Sequence, residues 1–114
     1  MRFQDCVGQL SVLGRAELAK FMALLLLEIT VRARTTYEVG GTSLAAPGRM
    51  RQFNEVEHRL AGFLLRLLLG EELDVPLLQE SFREQAEAPD IGTDFQDATE
   101  WAAGILHRSS AGGS

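Results

Sequence analysis

The residues best suited to chemistry fall in one short segment, Arg49-x-Arg51-x-x-Asn54-Glu55-x-x-His58-Arg59. Glu55 and His58 stand three apart, so on a helix they share a face. Helical bundles that hold metal ions through Glu-x-x-His use this spacing, because both side chains can reach one ion. Such a centre needs a second matching pair and a further glutamate. Glu28 would serve as the glutamate, but the chain holds no second Glu-x-x-His. Glu55 also projects nearly opposite the apolar row of Phe53, Leu60 and Leu64, away from the core of its own helix. The spacing therefore reads as a surface pair in which Glu55 meets Arg59 one turn on. Neither a metal nor any other cofactor is expected.

Glu57 and Arg32 are more telling. Helical periodicity puts Glu57 inside an apolar stripe with Leu60, Leu64 and Leu68, and puts Arg32 near Leu25, Ile29 and Thr36. A charge withdrawn from water needs a partner. If the two helices are antiparallel about a loop centred near residues 43–44, Arg32 falls level with residues 55–58, and Glu57 is its expected partner. Glu28, Arg34, Tyr37, Asn54 and His58 lie around the same level. Glu28, Arg32, Tyr37, Asn54, Glu55, Glu57 and His58 are thus the candidate ligand- or partner-binding residues. They read either as a polar tier that fixes helix register or as the lining of a pocket.

Other catalytic patterns are missing. The sequence contains no glycine-rich phosphate loop, no nucleophile elbow and no cysteine–histidine metal spacing. The single cysteine, Cys6, reads as a small buried hydrophobe, and it excludes an intramolecular disulfide framework. His107 near a helix C-terminus suits the helix dipole, and Trp101 reads as core or interface. Asp94, Asp97 and Glu100 crowd the start of the last helical segment, which argues against a DNA-reading helix there.

The elements that must position these residues are helices. Between Gly14 and Gly40 and between Gly48 and Gly70 there is no proline or glycine except Gly62, so two long helices are expected over about 15–37 and 49–69. Residues 39–48 form the connecting loop, and Gly70 ends the second helix. Asp74 is placed to cap a third helix running to about residue 88, with Pro76 in its first turn. Thr93 and Gln96 have capping-box spacing for a fourth over 93–107. Residues 1–13 make an N-terminal arm or a short helix, residues 1–108 a single domain, and 109–114 a disordered tail. The fold class is all-α: a long antiparallel hairpin plus two shorter helices, resembling a four-helix bundle.

The 18 leucines exceed what one face of each long helix can hold. Leu65 and Leu69 leave the stripe of the second helix, and Leu24 and Leu27 leave that of the first. Two apolar faces require two partners, so a homodimer is expected, with another protein as a possible partner. Net charge is −5, with residues 1–70 carrying nine basic and six acidic side chains and residues 71–100 carrying Arg83 against ten acids. That balance disfavours nucleic acid. The longest apolar run, Phe21 to Leu27, is too short to span a membrane, and residues 1–5 lack the apolar stretch of a signal peptide. The expectation is a cytoplasmic, non-enzymatic interaction or regulatory module that self-associates or docks on a partner. A ligand- or metal-binding bundle built on Arg32, Asn54, Glu55 and His58 is the alternative.

Overall fold

A computed structural model describes the backbone of residues 1–39 and 46–112 and the side chains of 1–35 and 47–109. Five helices account for most of the described residues: α1 (Phe3–Gln9), α2 (Arg15–Val39), α3 (Ala46–Leu68), α4 (Val75–Ala86) and α5 (Gly92–Gly112). No strand occurs among the described residues. α2 packs most extensively against α3 and next against α5, while α1 and α4 lie against α5 and each other. α2 is therefore the shared wall of the fold. No helix of the described residues is long and apolar enough to cross a membrane.

The helix ends follow from local chemistry. α3 closes in a Schellman motif: Gly70 takes φ 81°, its N–H donates to Leu67 O at 3.2 Å, and Glu71 N–H donates to Arg66 O at 3.0 Å. Only glycine adopts that φ at no steric cost. Arg15, opening α2, donates from Nη2 to Leu67 O at 2.7 Å, tying the start of α2 to the end of α3. The Asp74 side chain accepts from Leu77 N–H at 3.1 Å, the expected N-cap of α4.

The core is one cluster drawn from all five helices. Four phenylalanines run through its middle. Phe3 meets Phe95 edge-on at 6.0 Å, Phe95 meets Phe82 at 5.2 Å, and Phe82 meets Phe21 at 6.1 Å. This chain of rings joins α1, α5, α4 and α2. Each buried ring contributes about 1.5–3 kcal/mol from leaving water. The buried Thr99 is satisfied by donating to Phe95 O at 2.8 Å.

Residues 1–13, expected as an arm or a short helix, hold a short helix that belongs to the core, because Phe3, Cys6, Val7 and Leu10 are all buried. Two polar anchors fix it: Phe3 N–H donates to Glu100 Oε2 at 3.1 Å, and Gln79 Nε2 donates to Val7 O at 2.9 Å. Elsewhere the structure departs from the sequence expectations. Thr93 and Gln96 do not form a capping box. α5 already begins at Gly92, and Gln96 Nε2 donates to Ala86 O at 3.1 Å, satisfying a carbonyl that the end of α4 leaves open. Finally, α5 is a long helix reaching Gly112, four residues into the segment assigned to a tail.

Gly92 permits the junction between α4 and α5. A Cβ there would collide with the backbone carbonyl of Ala86, whereas one at Gly62, exposed on α3, meets nothing within 4 Å. Gly92→Ala should destabilise the fold by about 1–3 kcal/mol through forced backbone displacement. Gly62→Ala should be neutral or stabilising by up to about 1 kcal/mol. Urea unfolding midpoints of the two variants measure the contrast.

Candidate functional site

The polar tier exists, but its centre is Asp94. This aspartate lies in the first turn of α5, where an anion also favours the helix dipole. Arg32 of α2 reaches Asp94 Oδ1 through Nη1 at 3.1 Å, and Arg49 of α3 reaches Oδ2 through Nη2 at 3.0 Å. One carboxylate thus joins three helices. Arg32 also lies 3.4 Å from Glu28 one turn back on α2. The side chains of Arg32, Arg49 and Asp94 are between 27% and 33% exposed, so water screens them only in part.

A second set of contacts fastens α3 to the turn between α4 and α5. Arg49 Nη1 donates to Asp90 O at 2.7 Å. Gln52 and Asp90 exchange two bonds: Gln52 Nε2 donates to Asp90 Oδ2 at 3.0 Å, and Asp90 N–H donates to Gln52 Oε1 at 3.2 Å. Gly48 makes the approach possible, since a Cβ there would stand 2.8 Å from Asp90 Oδ2. The Arg49 guanidinium lies 5.5 Å from the centroid of Phe53, a ring that is itself fully buried. Arg49 therefore links the polar layer to the core beneath it.

The candidate residues divide sharply. Glu28 and Arg32 belong to this network, whereas Asn54, Glu55 and His58 are exposed on α3. The Tyr37 side chain lies outside the described residues. Arg32 pairs with Asp94 and Glu28, and among the described residues no hydrogen bond or ion pair joins it to Glu57. Nor does Arg59 turn to Glu55; it reaches Glu84 of α4 at 3.6 Å in an exposed pair. The hairpin register explains the missed partner. With Arg15 at Leu67 and Arg32 sharing Asp94 with Arg49, Arg32 stands near the start of α3, not level with residues 55–58.

Glu57 is left half-buried, and among the described residues no hydrogen bond or ion pair reaches it. Burial pushes its carboxyl above the ordinary value near 4.5. The Cys6 thiol is likewise pushed up, chiefly by burial and then by the negative charge of Glu100. A thiol kept neutral in this way is a poor nucleophile. Among the described residues no three His, Cys, Asp or Glu side chains are grouped to hold a metal ion.

Sequence reasoning passed over Asp94, Asp90 and Gln52. In the sequence Asp94 weighs against a DNA-reading helix and Asp90 only adds to the acidity. The usable signal was Arg49: a second arginine at the loop end of the hairpin requires an anion, and the acids nearest the start of the last helix are Asp90 and Asp94. No family model, curated protein or solved structure matches the chain.

Two outcomes follow. In a double-mutant cycle, Arg32→Met and Asp94→Leu should couple by about 1 kcal/mol or more, while Arg32→Met and Glu57→Leu should add to within about 0.5 kcal/mol. Chemical denaturation of the single and paired variants reads both. For Glu57, the raised folded pKa fixes the sign. Its protonated form is the better tolerated, so its contribution is most favourable below the ordinary value and is lost as pH rises through the folded pKa. Glu57→Gln should therefore stabilise the protein at pH 7 and have little effect near pH 4, as thermal unfolding at the two pH values would record.

Proposed function

We propose that the chain is a non-enzymatic helical module that works by self-association, with a surface row on α2 as the principal contact. The observation that carries this reading is the spacing of apolar side chains left on the outside. The exposed Leu27 and Val31 stand four apart along α2, and the half-buried Leu24, which also packs on the core, stands three before Leu27, together the interval of a helix–helix seam. Leu27 is 57% and Val31 50% exposed, although both stand on the helix that forms the shared wall of the fold. Beside them, Ala23, Leu24 and Leu27 of α2 and Ile105 and Leu106 of α5 line an open apolar groove.

Further leucines support an association surface. Leu65, Leu68 and Leu69 at the end of α3 are 57%, 67% and 67% exposed, and Leu77 of α4 is 48% exposed. Scattered single hydrophobes are normal on a protein surface, but rows of this kind mark contact sites. A second copy suits the charge distribution, because the net positive charge of residues 1–70 complements the ten acids of residues 71–100. A two-fold axis would let each copy present both halves.

The polar tier supports an architectural role. Its carboxylates and guanidinium groups engage one another, and the residues named for a ligand site, Asn54, Glu55 and His58, stand on the exposed side of α3.

Sedimentation equilibrium tests the reading. The chain should sediment as a dimer at tens of micromolar, and Leu27→Glu should shift it to monomer with its helical circular dichroism unchanged. A wild-type monomer would overturn self-association. A dimer indifferent to Leu27→Glu would remove the α2 row as its contact.

A further inference from the structure

α1, the turn after it, the start of α2 and the end of α5 enclose a cleft of about 110 Å³. Its floor is buried and apolar: Leu10, Phe21, Cys6 and Leu106 are between 1% and 8% exposed. Its rim is polar, with Glu17 of α2 on one side and the exposed His107 of α5 on the other. Buried apolar walls closed by a few polar groups are the usual build of a small-molecule site.

Volume and rim chemistry narrow the occupant. A dry apolar cavity of about 150 Å³ accommodates benzene; this cleft is smaller but open on one side, so it takes a single ring only with the polar edge of that ring at the mouth. The carboxylate of Glu17 can accept a hydrogen bond, and the imidazole of His107 can donate or accept one. Glu17 already has the Lys20 ammonium 3.4 Å away, so the rim does not require a cation from the ligand. We propose that this cleft is a reversible binding site for a small neutral phenol, its ring on the Leu10–Phe21–Leu106 floor and its hydroxyl between Glu17 and His107. The neutral Cys6 thiol is part of the wall and forms no bond to the ligand.

Cys6 is also the only thiol of the chain, which makes it a reporter. Phenol itself is the probe, and its affinity is first measured by following backbone amide shifts. At ten times the dissociation constant the unoccupied fraction falls to about one-eleventh. Alkylation of Cys6 by iodoacetamide should slow by the same factor, whether the reagent enters through the cleft or through unfolding. Ala103 lines the cleft, and Ala103→Leu should fill it, removing both the shifts and the protection. In the wild-type protein, proton contacts from the phenol ring should fall on the methyls of Leu10 and Leu106, a readout that stands even if the variant does not fold. No amide shifts and an unchanged alkylation rate at 20 mM phenol (about twenty times a millimolar dissociation constant) would overturn the proposal. Ring contacts elsewhere, or undiminished binding by folded Ala103→Leu, would overturn it equally.

Discussion

The carboxylate of Asp94 holds two guanidinium groups carried by different helices, and the arrangement of the long helices depends on it. Arg32 and Arg49 lie at the loop end of the α2–α3 hairpin, where two cations brought together would repel. One carboxylate from the first turn of α5 turns that repulsion into a three-helix junction. Few other pairings would serve. Asp94 spends one oxygen on each arginine, Arg49 still reaches the Asp90 carbonyl, and Gly48 leaves room for the Asp90 side chain to come close. Partial burial makes the junction directional, because a misplaced α5 would withdraw the Asp94 carboxylate from both arginines in a poorly screened site.

Much of the fold was legible because helices advertise themselves locally. The stretches free of proline, the Gly70 stop and the Asp74 cap are written in neighbouring residues, and each appears in the structure. The surplus leucines were legible too. Of the four that fall outside their helical stripes, Leu65, Leu69 and Leu27 are exposed, while Leu24 is half-buried against the core. Periodicity assigns a residue to a face of its own helix, and for the exposed three that was enough.

The polar site was legible only by half, for a physical reason. Periodicity showed that Arg32 needs a partner, but the partner's identity depends on which third helix docks and at what level. That is a property of packing between distant segments. Gln96 makes the same point: its spacing from Thr93 fits a capping box, yet the open carbonyl of Ala86 claims it once α4 and α5 meet. The buried role of residues 1–13 was hidden likewise, since Phe3, Val7 and Leu10 form too short a row to declare a core helix until Phe95 and Phe82 are beside them.

The chain of four phenylalanine rings passes through α1, α5, α4 and α2 and leaves α3 out. α3 packs chiefly on α2 and is otherwise held at its first turns by charged and polar contacts to Asp90 and Asp94. The protein thus has two grades of cohesion, an apolar core to which all five helices contribute and an electrostatic fastening at the start of α3. Salt weakens the second grade and scarcely touches the first. Local opening favours segments held by exposed polar contacts over buried apolar ones, and here that is the start of α3. A fold built in this way can loosen the start of one helix while the rest of its surface keeps its shape.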